Sequence, residues 1–393
     1  MSASVAFLLI GGVHQVFHVA PVAAALARTC PGLDITLLAS SEPVRRLAET
    51  SADGLPCGRL TPAPVGEWVA RTVRSQSAEK LPLLWANRRR LDAFDAIVVP
   101  ECTSLALKRM GVRRPKFICI PHGAGDRAVS FEPRFQRFDR VLVAGAKTAR
   151  RMVESGVAVE RIGVVGYPKA DLVRRMATQP LDLFGNGRPT VFYNPHFRAS
   201  LSSIGAARDV AAAFAAQDRF NLIVAPHIRA LADASAAEVA AWRSLGVPGR
   251  VHVDTGSDRL IDMSYTSAAD IYLGDVSSQV YEFLLAPRPC VFLDVHGVAW
   301  DGDPDYAFWN LGEVVAPDQV LAAVTRAEAL HRRFLPRQQA AVAETFGDMA
   351  DGAARAAADI ATFLGPAEGL PANDARDIDL SVARRTRLIA ARG

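Results

Sequence analysis

Short apolar runs alternate with longer amphipathic segments along most of this chain, and this alternation limits the folds available to it. The apolar runs have the length of buried strands, and segments between them, such as "VAPVAAALART" and "KTARRMVES", have helical periodicity. Strands that alternate with helices predict a parallel sheet with helices on both faces. The strands predicted in this first series are Val5–Ile10, Asp34–Leu38, Ala96–Val99, Phe117–Ile120, Val141–Ala144 and Ile162–Val165.

A second series of apolar runs begins near Thr190. A Gly- and Pro-containing stretch, "ATQPLDLFGNGRP", separates the two series and predicts a linker at about 177–189. The 393 residues therefore predict two Rossmann-like doubly wound α/β domains, at 1–180 and 187–365, and a basic C-terminal tail at 366–393. The strands predicted in the second series are Thr190–Tyr193, Leu222–Ala225, Val251–Val253, Ile271–Leu273 and Cys290–Leu293.

Composition excludes several classes of protein. Half of the residues are hydrophobic and 22% are charged, which is enough apolar material for large cores. No apolar run reaches the roughly 18 residues of a membrane span, and the N-terminus is predicted to be a strand and not a signal peptide. The five cysteines are far apart and form no C-x-x-C pair, which fits a reducing cytoplasm and argues against a disulfide framework or a zinc site.

The net charge of +4 is too small to imply a nucleic-acid partner. Basic residues nevertheless cluster at Arg88–Arg90, at Lys108–Lys116 and in the C-terminal "ARRTRLIAARG". The clusters are either solvated surface or attractive sites for anionic lipid head groups or a polyanionic substrate. We expect a cytoplasmic protein, and the basic clusters add the possibility that it binds peripherally to the inner face of the membrane.

Polar side chains concentrate in the loops that follow predicted strands. These loops read "PHGAGDR", "GYPKAD", "NPHFR", "PHIR" and "GDVSS", whereas the loops elsewhere are mostly small and apolar. Ligands of doubly wound sheets bind at the carboxyl ends of the strands. The sequence therefore predicts a ligand site built from these loops, in a cleft between the two domains.

The "GDVSS" loop has the features of a phosphate site. Ser277 and Ser278 come where a helix should begin, and a helix start offers free N–H groups and partial positive charge. Asp275 is expected to cap the helix or to accept a hydrogen bond, and Glu282 has the reach to bind the hydroxyls of a ribose. A simple capped helix with no ligand is the alternative.

Two loops repeat the order strand, proline, histidine, one residue, arginine. Arg198 and Arg229 offer forked donors for phosphate oxygens, and His196 and His227 could donate to the same oxygens. In the "PHGAGDR" loop, His122 follows a buried strand and precedes glycines that let a ligand approach, so a general base is predicted there. The alternative for each histidine is a hydrogen bond within its own loop.

Two further positions are weaker candidates for the acceptor side of the site. His18 falls on the first turn of the first helix, and Arg127 is the cation of the "HGAGDR" loop. For His18 and for His14, in the loop before the helix, packing within the loop remains the alternative. The sequence has no H-E-x-x-H motif, and it is expected to need neither a metal nor another cofactor.

The order of these loops resembles the CDP-glycerol glycerophosphotransferases of teichoic-acid synthesis. "HG" after a strand, "GYPKAD", an Asn-Pro-x-x-Arg loop, a Pro-His loop, "GDVSSQVYEFLL" and the late "FGDMADGAARAAADIATFL" carry the resemblance, which covers roughly 115–365. It implies the GT-B fold, in which two Rossmann-like domains share an active site between them.

The resemblance also implies a reaction. An acceptor hydroxyl would attack the β-phosphate of a CDP-polyol donor and release CMP, in the synthesis of a cell-surface polymer on a lipid-linked acceptor. The family's roles fall on His122 as general base, on His227 at the diphosphate, on Ser277 and Ser278 at the phosphate, and more weakly on Arg198 and Asp275.

Two alternatives stay open. The "HGAGDR" loop differs from the family's usual lysine-containing loop, and "APHIR" reverses the usual His-Pro order. The non-hydrolysing UDP-N-acetylglucosamine 2-epimerases, or a related glycosyltransferase, share the Asp-Ser-rich strand–helix loop, although the acids used in epimerisation have no clear counterpart here. A non-catalytic protein that binds a nucleotide sugar is the third possibility.

Overall fold

Two compact units make up the protein. The computed structural model describes residues 2–62, 76–126, 132–176, 181–347 and 350–365. The first unit comprises Met1–His122, Phe131–Met176 and Glu344–Gly393, and the second unit comprises Gly123–Ser130 and Ala177–Ala343. Each unit contains one parallel sheet, which confirms the predicted pair of doubly wound α/β domains.

The sheet of the first unit has seven parallel strands in the order β3-β2-β1-β4-β5-β6-β7. All of the strands predicted in the first half of the chain are present, with bounds that differ by at most one residue at either end. The sequence analysis missed β3, a three-residue edge strand. The strands are β1 (Ser4–Leu9), β2 (Asp34–Ala39), β3 (Cys57–Arg59), β4 (Ala96–Val99), β5 (Lys116–Cys119), β6 (Arg140–Val143) and β7 (Ile162–Val164).

Helices cover both faces of this sheet. In β1, Val5 and Phe7 pack in one core together with α1, whereas Ala6 and Leu8 pack in a second core on the opposite face. A central strand that is buried on both faces must be apolar throughout, and this is why β1 reads as a continuous hydrophobic run. The helices are α1 (Val16–Thr29), α2 (Glu42–Ser51), α3 (Gln76–Leu91), α4 (Ala106–Arg109), α5 (Ala146–Glu154) and α6 (Pro168–Met176).

The sheet of the second unit has six parallel strands in the order β10-β9-β8-β11-β12-β13. The five predicted strands are present, and the short edge strand β13 was missed. The strands are β8 (Thr190–Asn194), β9 (Asn221–Val224), β10 (Val251–Val253), β11 (Ile271–Gly274), β12 (Cys290–Leu293) and β13 (Glu313–Val315). The helices that follow them are α7 (Ala207–Ala215), α8 (Ala236–Arg243), α9 (Ser264–Ala268), α10 (Gln279–Phe283) and α11 (Val320–Phe346).

The sequence "QVYEFLLA" predicts a helix over 279–286 after the "GDVSS" loop, but this is wrong at the C-terminal end, because α10 ends at Phe283. The guanidinium of Arg288 donates from Nη2 to the carbonyl oxygen of Phe283 at 2.6 Å and so binds the end of the helix. Ala286 precedes a proline, a position that disfavours helical backbone. The helix is therefore only five residues long.

The chain returns to the first unit with the closing helix α12 (Gly352–Leu364). The backbone N–H of Ala353 donates to Oδ2 of Asp171 at 2.9 Å, and Nε of Arg355 donates to the carbonyl of Val165 at 3.0 Å. The compact units therefore place 344–365 with the first half of the chain, whereas the sequence analysis grouped this segment with the second domain.

Two expectations concern residues outside the described part of the chain, namely Arg127 and the basic tail at 366–393. Within the described residues, no helix combines the length and the apolar character needed to cross a bilayer.

Candidate functional site

Each sheet has one point at which the strand order reverses direction. In the first unit it lies between β1 and β4, and in the second unit it lies between β8 and β11. Loops that leave the two strands at such a point run in opposite directions and open a crevice at the carboxyl edge of the sheet. The candidate residues of both units collect at these edges.

Three histidines cluster at this edge in the first unit. The ring centroid of His122 lies 5.4 Å from that of His14 and 6.4 Å from that of His18. The ring of Tyr167, from the "GYPKAD" segment, lies 5.4 Å from the ring of His18. The structure therefore brings together a candidate base, a candidate acceptor-side residue and the "GYPKAD" loop.

A backbone carbonyl fixes the tautomer of His122. Its Nδ1 lies 2.7 Å from the carbonyl oxygen of Pro100, the residue that follows β4. A carbonyl oxygen can only accept, so Nδ1 must carry the proton and donate it. In the neutral ring the lone pair is then on Nε2, which is the arrangement that a general base requires.

His18 is buried beside His122 and stays neutral. Burial lowers the pKa of His18 well below its ordinary value, and the nearby charges of Lys169, His122 and His14 lower this pKa further. Lys169 is itself buried. The first unit thus gathers basic nitrogens around His18, and the charge of Lys169 disfavours protonation of the His18 ring.

The buried carboxylate at the same edge has a structural use. Glu101 accepts hydrogen bonds from the backbone N–H of Thr103 at 2.6 Å and from the N–H and hydroxyl of Ser104 at 3.1 and 2.6 Å. It therefore caps the short 3-10 helix Thr103–Leu105. This carboxylate is engaged in holding a turn.

In the second unit, Asp275 is the centre of a buried hydrogen-bond network. Oδ1 accepts from the backbone N–H of His196 at 3.0 Å, and Oδ2 accepts from the N–H and hydroxyl of Ser203 at 2.6 and 2.9 Å. The hydroxyl of Ser202 donates to the same Oδ2 at 3.0 Å. Asp275 thus joins the loop after β11 to the loop after β8. It accepts hydrogen bonds, as expected, and the donors include backbone N–H groups of the protein itself.

Burial raises the pKa of Asp275, whereas the hydrogen bonds from Ser203, Val276 and His196 lower it. Burial is the larger of the two influences. A buried carboxylate among several donors is a device for positioning a loop, and no phosphate would be stable against it. Asp275 therefore holds the loop after β8 in place, and its expected contact with a donor stays a prediction.

The two Pro-His-x-Arg loops share one geometry. The backbone N–H of Arg198 donates to Nδ1 of His196 at 3.2 Å, and the backbone N–H of Arg229 donates to Nδ1 of His227 at 3.2 Å. Because Nδ1 accepts in both rings, the proton of the neutral ring is on Nε2. Both histidines therefore present an N–H donor, the opposite of the tautomer of His122.

Aromatic packing holds the two loops together. The ring of Phe197 lies 4.3 Å from that of His196 and 5.0 Å from that of His227. The guanidinium of Arg229 lies 4.3 Å from the centroid of Phe197. Arg198 and Arg229 are both exposed at the ends of these loops. Sequence analysis missed Phe197, although an aromatic residue between a histidine and an arginine was a usable signal.

The remaining donor candidates lie around α10. Ser277 is buried and accepts from the N–H of Gln279 at 3.4 Å, whereas Ser278 is partly exposed at the N-cap. Glu282 is 8% exposed within the same helix. A five-residue helix has a small dipole, so any anion site here depends on the side chains rather than on the helix end.

The segment directly after His122 belongs to the second unit and packs against Ser278. A side chain at Gly125 would place Cβ 3.1 Å from Cβ of Ser278, and Gly123 has a φ of +87° that favours glycine. The hydroxyl of Tyr281 donates to the buried Oδ2 of Asp126 at 2.5 Å. These contacts, which sequence analysis missed, join Gly123–Asp126 to Ser278 and Tyr281 within the second unit.

Two concavities adjoin the loops of the second unit. One of about 420 Å³ is lined by residues that include Arg229, Asp233 and Trp242. Another of about 450 Å³ follows β10 and is lined by residues that include His252 and Asp254. Within the described residues, no group of three or more His, Cys, Asp or Glu side chains is arranged to hold a metal ion.

The chain was compared with known proteins. No family model matches it, and no curated protein matches it. Solved structures do match. MnaA of S. aureus, solved with UDP, is 13% identical and has a TM-score of 0.67 over 95% of this chain and 100% of that chain.

Two other structures are similar over comparable lengths. The UDP-GlcNAc 2-epimerase of Neisseria meningitidis, bound to UDP-GlcNAc, is 10% identical and has a TM-score of 0.58 over 93% of this chain and 99% of that chain. The wall teichoic acid polymerase TagF, soaked with CDPG, is 13% identical and has a TM-score of 0.60 over 93% and 88%. At these identities the likeness shows the fold, and the chain has the two-domain GT-B fold.

Proposed function

We propose that this protein is a GT-B transferase that moves a polyol phosphate from a CDP-polyol donor to an acceptor hydroxyl and releases CMP. The observation that carries the proposal is the opposite tautomers of its histidines. His122 is arranged to accept a proton, and His196 and His227 are arranged to donate hydrogen bonds. A base and a set of anion-directed donors are the two parts that phosphoryl transfer to a hydroxyl requires.

The second unit is the donor side in this proposal. The Nε2–H groups of His196 and His227 and the guanidinium groups of Arg198 and Arg229 neutralise the diphosphate, and the hydroxyl of Ser278 adds a neutral donor. Similar folds have been solved with UDP and with CDPG, and this supports a nucleotide diphosphate as the ligand class. Asp233, on the concavity that Arg229 also lines, could accept hydrogen bonds from polyol hydroxyls.

The first unit is the acceptor side. Nε2 of His122 removes the proton of the acceptor hydroxyl while the hydroxyl oxygen attacks the β-phosphorus of the donor. The bond from that phosphorus to the bridging oxygen breaks, and the electron pair leaves with CMP. Nδ1 keeps its own proton and donates it to the carbonyl oxygen of Pro100 throughout. This hydrogen bond holds the ring in place as the imidazolium forms. The family resemblance favours a lipid-linked acceptor.

The second candidate function is epimerisation of a UDP-sugar, because two of the similar structures are UDP-GlcNAc 2-epimerases or bind UDP. Epimerisation needs groups that remove and return a carbon-bound proton. Glu101, a buried acid in the loop after β4, caps a turn and does not suit that role. The transferase is therefore the better-supported proposal.

The test is turnover with a panel of CDP-glycerol, CDP-ribitol and UDP-N-acetylglucosamine, with phosphorus and proton NMR used to follow CMP, UDP and epimer. His122→Asn keeps a donor for the carbonyl of Pro100 but has no basic nitrogen, so turnover should fall by roughly 10²–10⁴-fold with donor affinity unchanged. His296→Asn, at an exposed loop histidine, is the matched control. Epimer without CMP would replace the transferase by the epimerase, and tight donor binding without any turnover would favour a binding protein.

A further inference from the structure

The helix α3 exposes apolar side chains on the face that points away from the core. Leu81 is 41% exposed and Trp85 is 55% exposed, whereas Leu84 and Leu91 are fully buried in the core of the first unit. Asn87, on the buried face, is also occupied, because its side chain bonds the backbone of Thr61 and Leu83. The inward face is therefore occupied, whereas Leu81 and Trp85 expose apolar surface on the outward face.

Basic side chains continue the same outward face. The guanidinium of Arg88 lies 4.2 Å from the centroid of the Trp85 ring and donates to the carbonyl of Trp85 at 2.7 Å. Arg89 is exposed beside it. Leu81, Trp85, Arg88 and Arg89 form one stripe on α3, about 12 Å long at 1.5 Å per residue. We call this stripe the α3 surface.

A second basic cluster lies next to the end of α3. Asp92 follows the helix, and its Oδ1 accepts from the backbone N–H groups of Arg113 and Arg114 at 2.8 and 3.1 Å. The two clusters that are separate in the sequence are therefore neighbours in the fold. Nine Lys and Arg residues stand against three Asp and Glu residues between Lys80 and Lys116, and one of the three acids, Glu101, is buried.

We propose that the α3 surface binds the interface of an anionic lipid membrane. Tryptophan and leucine would enter the head-group region, where amphipathic aromatic rings are favoured, and the arginines would contact lipid phosphates. The charge of the surface complements an anionic leaflet. Nucleic acid would use the arginines but has no use for the exposed leucine, so the mixed surface favours lipid. This inference does not depend on the proposed function.

The experiment is co-sedimentation of the full chain with vesicles of phosphatidylcholine, alone or mixed with phosphatidylglycerol, at low and high salt. We expect binding to the anionic vesicles only, weakened by salt. Arg88→Gln with Arg89→Gln should lower the partition coefficient roughly 30-fold, the share expected of two basic residues at an anionic surface. Leu81→Ser with Trp85→Ser should lower it by about 10-fold or more.

Matched controls come from the rest of the chain. Val159→Ser removes another exposed apolar side chain of the first unit, and Arg332→Gln removes an exposed arginine of the second unit. Both should bind like the wild type. If a serine variant is poorly folded, quenching of tryptophan fluorescence by brominated lipid gives a second measurement, because Trp85→Phe keeps the apolar surface but should lose part of the quenching.

Three outcomes would overturn the proposal. One is equal binding to neutral and anionic vesicles or to neither, and another is an equal loss of binding in the Val159→Ser control. The third is failure to bind vesicles together with salt-sensitive binding to an oligonucleotide, which would make the α3 surface a site for nucleic acid.

Discussion

Replacing Asp275 with alanine tests whether a single buried carboxylate holds the histidine loop of the second unit. Its oxygens accept from three buried backbone N–H groups, those of His196, Ser203 and Val276, as well as from two serine hydroxyls. Alanine leaves the three N–H groups without this acceptor, whereas the hydroxyls can rotate to other partners. The loop that carries His196 should therefore loosen.

The size of the effect follows from that count. Each orphaned buried N–H group costs about 1–3 kcal/mol, so three would cost about 3–9 kcal/mol. Burial raises the pKa of Asp275, which means that the ionised carboxylate carries a desolvation cost that alanine removes. The expected loss in the free energy of unfolding is therefore at the lower end, about 3–5 kcal/mol. Asp275→Asn keeps one acceptor oxygen and should lose about 1–3 kcal/mol.

Thermal unfolding followed by calorimetry measures this loss, and each kcal/mol corresponds to about 2–4 °C in Tm for a unit of this size. Titration with CDP and UDP measures the linked loss of nucleotide affinity, which we expect to reach about tenfold. Asp182→Ala is the control, because Asp182 also accepts from two N–H groups, those of Phe184 and Gly185, but at an exposed turn where water can replace it. An Asp275→Ala protein as stable as this control would refute the reasoning.

Three further predictions concern other parts of the fold. Burial lowers the pKa of His18 below its ordinary 6.5, so the unfolded chain binds a proton there more readily than the folded protein, and the free energy of unfolding should fall as the pH drops through about 6.5. Urea unfolding of His18→Phe should lack this pH-dependent loss. A variant with the same pH dependence as the wild type would contradict the prediction. Gly352→Ala should lower Tm, as measured by thermal unfolding, with a cost of about 1–3 kcal/mol, because the new Cβ would meet the backbone nitrogen of Tyr167 at 2.9 Å. Ser278→Ala should weaken donor binding in calorimetry by about 1.5–3 kcal/mol, whereas Ser244→Ala, on an exposed turn, should not; equal affinities would exclude Ser278 from the donor site.

The central strands of both sheets could be predicted from the sequence because burial on both faces requires them to be apolar. The runs at Val5 and at Thr190 are unbroken and end in Gly, Pro or Asn, and such runs leave little freedom in a parallel sheet. The edge strands β3 and β13 could not be predicted in this way. Each has three residues, with only one of them buried, so the strand depends on the neighbouring strand and not on its own pattern.

The candidate site could be predicted by position but not by geometry. Counting polar residues after strands located His122, His227 and Asp275, since strand ends are where a doubly wound sheet binds its ligand. The tautomer of His122 depends on the carbonyl of Pro100 in another loop, and that of His227 depends on the backbone N–H of Arg229. The identities of the residues do not predict these backbone contacts. The partners of Asp275 in the loop after β8 lie 72–79 residues away in the chain, too far for spacing to reveal them.

The closing helix α12 has a consequence for the order in which the protein can be made. Its residues Ala353, Ala356, Ala357 and Ile360 belong to the same core as α1 and β1, although more than 300 residues separate them in the chain. A ribosome releases the N-terminus first, so α1 emerges long before its partner is synthesised. The second unit is encoded almost entirely between them and can collapse while the first still exposes an apolar groove. The half of the protein that is translated first can therefore complete its core only after the second unit has been translated.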